Sequence, residues 1–464
     1  MNKCIFVSRR RLEQICNDFI SAKYYALLGG GIFQKTMPFQ KQFCTVHPPA
    51  QQEASMNPTA SAKPDLTVRY SVLQGLFWLN YCILGGFANV YLLEHGFSNS
   101  LIGTVVAVSG ILSACISPLI AAYADRPESL SVRKILTIMS AGMVALMVLI
   151  ALTGRSLVLT ALTYTAGMTV IQLMASLTSS LATQSMRSGY HVGFGAARGI
   201  GSLMYGLSAH ALGFLVARTH PDILPVAAAI SWVVNLVVYL RFPDTKDITV
   251  MYANAENNPA RKSSGSPIAF FRKYPRYGLF LLGLFFVYIS HSLANVFVTQ
   301  VVISKGGTSA DTGLILGVQA LVEIPVMFGF SKMLKIARAH NWMRICVIFY
   351  VLKSIGTYAS ATVGQHVAVQ FLETGSYAVM VVCGLYYVNS IMRTEDCVKG
   401  QSYMGISTTV ANVVASWIGG ILLDVSGVSS MLILGMVVAV IGTVIVLFNA
   451  QAPQEPEGTV LPGS

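Results

Sequence analysis

The chain has 464 residues, of which 54% are hydrophobic and only 11% are charged, and its mean hydropathy is +0.62. One soluble core cannot bury so much apolar surface, so a lipid bilayer must cover part of it. The formal charge of +12 does not indicate nucleic-acid binding, because the basic residues lie between long apolar runs and not on one polar face. The eight cysteines form no CxxC pair, which argues against a metal or redox site.

Residues 1–67 differ from the rest of the chain. They mix arginine and lysine with apolar stretches that are too short to cross a bilayer. A transit peptide is one interpretation, and a disordered leader is another. We favour a mis-assigned start with Met56 as the true first residue, because a short polar leader runs from there directly into the first apolar segment.

Twelve apolar runs follow, each long enough to cross the hydrocarbon core as a helix, which takes about 20 residues. We predict an all-α membrane protein with six spans at 68–241, a polar linker at 242–275, six more spans at 276–450 and a tail at 451–464. The predicted spans are Tyr70–Leu93, Leu101–Ala124, Ile135–Gly154, Ser156–Met186, Ser188–Ala217, Ile223–Leu240, Tyr277–Ser304, Thr312–Ser331, Ile345–Gln365, Val367–Met392, Gly400–Leu423 and Val425–Ala450.

Positive charge is unequal between the two sets of loops. If the chain crosses once per span, nearly all loop lysines and arginines lie on the linker's side, and the opposite loops carry only Arg155, Arg218 and Lys305. Cytoplasmic loops are enriched in these residues. We therefore expect the linker and both termini in the cytoplasm, in a bacterial inner membrane.

The two halves echo each other in sequence. Ala88-Asn89-Val90-Tyr91 in span 1 resembles Ala294-Asn295-Val296-Phe297 in span 7. Each is followed by Gly-x-Ser and by a glycine that opens the next span, namely Gly96-Phe97-Ser98 with Gly103, and Gly307-Thr308-Ser309 with Gly313. Two parallel six-helix halves with a linker are the architecture of the major facilitator superfamily, whose substrate site lies between the halves near the midplane.

Four charged side chains lie inside the predicted spans, away from their ends: Arg198, Glu323, Lys353 and Glu373. A charge near the bilayer centre costs about 3 kcal/mol or more unless it is paired or hydrated, so each marks a functional site or a fixed ion pair between helices. We favour function for Arg198 and Glu373 and leave both interpretations open for the other two. The guanidinium suits a carboxylate, from a substrate or from Glu373, and Glu373 is the best candidate proton carrier.

Neutral polar residues complete the predicted substrate site. They are Asn80 and Asn89 in span 1, His291 and Asn295 in span 7, and Gln319 in span 8. His291 and Asn295 are four residues apart and share one helix face. For every one of these residues, a hydrogen bond between helices is at least as good an interpretation as contact with a substrate.

The segment Phe194-Gly195-Ala196-Ala197-Arg198-Gly199-Ile200-Gly201-Ser202 resembles the YGxxRxWGS signature of span 5 in the lactose-permease-like branch of the major facilitator superfamily. That branch includes phenylpropionic acid transporters and nucleoside:proton symporters. Further similarities are Val322-Glu323-Ile324-Pro325, Leu352-Lys353, Leu372-Glu373-Thr374-Gly375 and Gln401-Ser402-Tyr403, and the resemblance covers about residues 68–450. It implies substrate contact by Arg198, proton coupling by Lys353 and Glu373 with Glu323 as a competing candidate, and a gating loop that contains Asp125 and Arg126.

These observations predict a secondary active transporter that moves a small organic solute by alternating access. Proton symport is the leading interpretation, and the resemblance points to an aromatic carboxylate as the solute. A drug or metabolite efflux antiporter and an uncoupled facilitator stay open as alternatives, whereas a polytopic membrane enzyme would need a catalytic motif that the sequence lacks. We expect a monomer whose partners are the solute, protons and the lipid bilayer, with no cofactor, metal or nucleic acid.

Overall fold

The computed structural model describes residues 64–124, 126, 128–153, 156–246 and 266–452, and the regular structure within them is helical. Each of the twelve predicted spans contains a helix, which confirms the predicted fold class. Two bounds are wrong: span 5 starts six residues before its helix, and span 9 extends six residues past the end of its helix. We number the helices α1 to α12. Their bounds are Thr67–Tyr81, Cys82–Gly86 and Ala88–Glu94 for α1, Asn99–Ala124 for α2, Val132–Thr153 for α3, Leu157–Arg187 for α4, Phe194–Arg218 for α5, Ile223–Arg241 for α6, Pro275–Val296 and Val298–Ser304 for α7, Ser309–Ile336 for α8, Ala339–Ala359 for α9, Val363–Gln370, Phe371–Thr374 and Tyr377–Ile391 for α10, and Thr394–Asn449 for α11 and α12 together. A short helix, Pro267–Lys273, precedes α7.

Several predicted features lie outside the described residues. They are the leader up to residue 63 with Met56, Asp125 of the predicted gating loop, residues 247–265 of the linker, and the tail from residue 453.

The helices have the length and composition of membrane spans. In the described part of the chain, ten helical runs are long and apolar enough to cross a bilayer. One of these runs, Glu395–Asn449, holds both α11 and α12. The two meet at Gly427, where φ is +77°, a conformation that glycine adopts without steric cost. The prediction placed this boundary at Asp424, three residues too early. With α9, which has 21 residues, the described part of the chain has twelve helices of membrane-spanning length.

Two helix pairs join the halves. α2 packs against α11, and α5 packs against α8. Glycines let the backbones approach closely: a Cβ on Gly103 would lie 2.1 Å from the carbonyl oxygen of Ser416, and one on Gly313 would lie 2.2 Å from that of Ala209. We call these two contacts the α2–α11 seam and the α5–α8 seam.

Hydrogen bonds also link the halves at the end of the molecule opposite the linker, which we call the closed end. The carboxylate of Asp424 accepts hydrogen bonds from the backbone N–H of Asn99 at 3.0 Å and of Ser100 at 2.7 Å, at the first turn of α2. Gln300 donates to the side-chain oxygens of Asn89 at 3.0 Å and of Asn99 at 2.9 Å. The closed end is therefore held by polar contacts as well as by the glycines of the seams.

The internal repeat has a different register from the one that the sequence suggests. The helix breaks in α1 and α7 fall at Phe87 and Phe297, the following loops each contain a glycine with φ of +76°, and a seam glycine comes next. These equivalent pairs are Phe87 with Phe297, Gly96 with Gly306, and Gly103 with Gly313, and each pair has the same separation along the chain. The similarity between Ala88-Asn89 and Ala294-Asn295 is thus out of register by four residues, about one helical turn, and Gly96 corresponds to Gly306 and not to Gly307.

Candidate functional site

A cavity of about 560 Å³ lies between the two halves, and α1, α2, α4, α5, α7, α8, α10 and α11 line it. Most of the residues that we predicted for the site lie on its wall: Asn89, Arg198, His291, Asn295, Gln319, Glu323 and Glu373. Its size suits a small organic solute.

Glu373 and Lys353 form a buried ion pair behind one wall of the cavity. Glu373 lies in the 3₁₀ turn Phe371–Thr374 that interrupts α10, is 2% exposed, and accepts a hydrogen bond from the ammonium group of Lys353 on α9. The hydroxyl of Ser376 donates to the same carboxylate oxygen at 3.4 Å, and His291 Nδ1 is 4.0 Å from the other. Since removal of either partner would strand a buried charge, the two must act together. Arg198 is therefore not the ion-pair partner of Glu373.

The predicted polar residues of α7 and α8 are hydrogen-bonded to one another. Asn295 lies 2.8 Å from His291 Nε2, and Gln319 donates to Asn295 Oδ1 and to Gln370 Oε1, both at 2.9 Å. The imidazole of His291 stacks on Tyr377, with 5.0 Å between ring centroids. These residues join α7, α8 and α10 through hydrogen bonds and also line the cavity, so their contact with a substrate stays a prediction beside the structural role.

Arg198 is held against an aromatic ring. Its guanidinium carbon lies 4.3 Å from the ring centroid of Trp78, and its Nη1 donates to Ser202 Oγ at 2.8 Å. The indole N–H of Trp78 donates to Gln74 Oε1 at 3.0 Å, which orients the ring. Trp78 packs onto α5 at Gly201, where a Cβ would lie 2.4 Å from the indole. The guanidinium has five N–H donors, so this arrangement leaves most of them to face the cavity.

Glu323 lies in the middle of α8 and is partly exposed to the cavity. Within the described residues it forms neither a hydrogen bond nor an ion pair, whereas Glu373 does both. Of these two acids on the cavity wall, Glu373 is therefore ion-paired, and Glu323 has no ion-pair partner among the described residues.

Three predicted residues do not contact the cavity. Asn80 is fully buried and donates to the carbonyl of Leu76 at 2.9 Å. It does not line the cavity, and its role as a substrate ligand stays an untested prediction. Lys353 lies behind Glu373 and reaches the cavity only through it. Arg126 lies in the loop after α2, where its carbonyl accepts a hydrogen bond from Lys246 at 3.2 Å.

Sequence reasoning missed several lining residues. Trp78, Tyr205 and Asn412 contribute to the wall, and Gln370 supports it from behind. The presence of a tryptophan one turn from Gln74 in an apolar span is a usable signal, because the pair can hydrogen-bond and so fix a ring face.

Comparison with known proteins agrees with this architecture. The sequence matches the family model described as the MFS_1 like family over residues 70–434. None of the curated proteins matches the sequence closely enough to count as a relative.

Solved structures of transporters share the fold at low sequence identity. A structure of a point mutant of the nucleoside transporter NupG is 13% identical with a TM-score of 0.69, and the alignment covers 83% of this chain and 98% of that one. The inward-open xylose transporter XylE from E. coli is 12% identical with a TM-score of 0.60, over 85% and 97% of the chains. The human organic anion transporter MFSD10 (TETRAN) is 13% identical with a TM-score of 0.57, over 82% and 98%. The chain belongs to the MFS_1 like family and is an integral membrane transporter of the major facilitator type.

Proposed function

We propose that the protein is a proton-coupled symporter of a small organic solute that carries a carboxylate and an aromatic ring. The observation that supports this best is the buried pair of Glu373 and Lys353 at the cavity wall, close to His291. A symporter needs a group whose protonation depends on solute occupancy, and a paired acid beside the solute cavity is such a group.

Charge explains how proton and solute would favour each other. While Glu373 is ionised, it offsets the positive charge of Lys353. When it takes up a proton, the cavity gains net positive charge from Lys353 and Arg198, and the carboxylate of the solute is bound more strongly. By linkage, the bound carboxylate in turn favours the protonated form of Glu373.

The solute class follows from Arg198 and its surroundings. A guanidinium binds a carboxylate with two parallel hydrogen bonds, and Arg198 has donors left for this. Trp78, Tyr81, Tyr205, Tyr288 and Tyr377 supply aromatic surface around the same cavity, which suits a ring on the solute.

Transport in proteoliposomes tests the assignment. We expect the wild type to accumulate 3-phenylpropionate against its gradient when an inward proton gradient is imposed. Glu373→Gln has a fixed neutral side chain, so we expect it to lose accumulation and to retain exchange of labelled for unlabelled solute. Glu395→Gln, the same change at an exposed acid in the first turn of α11, should retain both activities.

Other outcomes favour the alternatives. Uptake that equilibrates but never accumulates would indicate an uncoupled facilitator, and transport driven against the direction of proton flow would indicate an antiporter. If Glu323→Gln loses accumulation while Glu373→Gln keeps it, the proton site lies on α8 and the assignment to Glu373 is wrong.

A further inference from the structure

Two charges of opposite sign face the cavity without an ion-pair partner among the described residues. Arg198 is on α5 in the first half, and Glu323 is on α8 in the second half; both are partly exposed. Lys353 and Glu373 neutralise each other, so Arg198 and Glu323 are the charges left for a solute.

The register of the α5–α8 seam places these two charges at a similar level along the two helices. A Cβ on Gly206 would lie 3.0 Å from Leu321, and one on Gly199 would lie 2.9 Å from Phe328, so the two helices run antiparallel in this register. Glu323 lies between Leu321 and Phe328, and the guanidinium of Arg198 reaches toward Gly206 as far as Ser202. Both charges therefore fall within the same two turns of the seam, a stretch of about 10 Å.

We infer that Arg198 and Glu323 together bind a zwitterionic solute, with its carboxylate on Arg198 and its ammonium group on Glu323. This inference rests on the proposed transport function and narrows its solute class. The charged groups of an α-amino acid are about 3 Å apart, and a hydrogen bond of about 3 Å at each end extends its reach to about 9 Å, which is comparable with the length of this stretch. The aromatic wall then receives the side chain, so an aromatic amino acid has the matching chemistry.

A simple carboxylate fits the same place less well. It would satisfy Arg198 but would also bring a second negative charge toward Glu323, which lowers its affinity when Glu323 is ionised. An amine without a carboxylate would bind Glu323 but would bring a second positive charge toward Arg198, which lowers its affinity. A zwitterion satisfies both charges and also connects α5 of one half to α8 of the other.

Binding to the purified full-length chain tests this inference without any transport step. The probes are phenylalanine, 3-phenylpropionate, which lacks the amine, and 2-phenylethylamine, which lacks the carboxylate. Titration calorimetry should show that phenylalanine binds at least about tenfold more tightly than either of the other two, because each of those makes only one charge-assisted contact.

Two amide variants assign the groups. Glu323→Gln should remove the advantage of phenylalanine over 3-phenylpropionate, and Arg198→Gln should remove its advantage over 2-phenylethylamine. Glu395→Gln should change neither ratio, and thermal melting of each variant shows whether it is folded. Since the two variants are read separately, misfolding of one leaves the other as a test.

The inference is wrong if either single-charge probe binds the wild type as tightly as phenylalanine does. It is also wrong if none of the three probes binds. It is also wrong if folded Glu323→Gln keeps the wild-type preference. If the wild type accumulates 3-phenylpropionate but binds phenylalanine no more tightly than 3-phenylpropionate, proton symport is supported and only the zwitterion site is excluded. Selective binding of phenylalanine without proton-driven uptake would support the zwitterion site and exclude proton symport.

Discussion

Arg198 combines two contacts with free donors, and lysine could not reproduce the whole arrangement. Its guanidinium lies over Trp78, donates to Ser202, and keeps further donors toward the cavity. A lysine ammonium keeps the positive charge, but it has neither the planar fork nor the stacking surface. The comparison of the two residues at this position therefore separates charge from geometry.

Arg198→Lys should lower solute affinity at least about tenfold, because it replaces a two-point contact with a single one. The matched control is Arg218→Lys on the same helix. Arg218 lies over Phe214 with 4.0 Å from its guanidinium carbon to the ring centroid, but it is at the exposed end of α5, so we expect unchanged transport. Binding and initial uptake rates measure both variants. Equal affinity in Arg198→Lys and wild type would show that Arg198 only packs.

At the scale of single residues, the sequence indicates which side chains are unusual but not which way they face. A charge in an apolar span is conspicuous, and Arg198, Glu323 and Glu373 all line the cavity. Asn80 is equally conspicuous and points into the first half of the bundle, because polarity alone does not reveal a helix face when both faces are covered by other helices or lipid.

We expect the seams to be the elements that would separate if the protein works by alternating access. At the closed end, α5 and α8 touch through Gly213 and Gly313, and α2 and α11 touch through Gly103 and the backbone near Ser416. Contacts of backbone against backbone leave no flexible side chain that could move aside. A methyl group placed in such a contact must separate the helices, so the seams offer a direct way to shift the equilibrium between conformations.

Gly313→Ala should open the closed end, because its Cβ would lie 2.2 Å from the carbonyl oxygen of Ala209. Gly329→Ala is the control on the same helix, since a Cβ there meets nothing within 4 Å. Spin labels on exposed Ser98 and Ala361, in the loops at the closed end of the two halves, report the opening by pulsed electron resonance in a cysteine-free background. We expect a longer distance and slower transport in Gly313→Ala only. Identical distance distributions in the two variants would refute this role of the seam.

The ends of a helix can be predicted where the amino-acid composition changes. They cannot be predicted where only the backbone conformation changes. The ends of most spans agree with the predictions to within a few residues, because a polar loop follows most of the apolar runs. Span 9 is an exception, since its helix ends at Ala359 and only three residues separate it from the next helix. The break at Gly427 lies inside continuous helix-compatible sequence, and the 3₁₀ turn around Glu373 has no marker in composition. Similarly, the match of Ala-Asn-Val between the halves predicts a repeat that is one turn out of register, because sequence similarity does not show where a helix is interrupted.

At the scale of the whole molecule, the bilayer is the reason that the fold can be predicted from the sequence. Lipid requires long apolar helices, and the echo between the halves indicates duplication, so twelve spans in two bundles could be derived without coordinates. Which helices form the seams follows from close backbone contacts that only the folded chain reveals. The side of the membrane that each end faces is indicated by the charge of the loops.

Cysteine labelling in intact cells measures the orientation. The excess of lysine and arginine in the loops on the linker's side predicts that this side is cytoplasmic. In a variant without the eight native cysteines, Ala361→Cys, in the loop between α9 and α10, should react with a membrane-impermeant maleimide in intact cells. Ser266→Cys, at the exposed start of the short helix before α7, should react only after the membrane is permeabilised. The reverse pattern would place the linker outside the cell and would turn the closed end toward the cytoplasm.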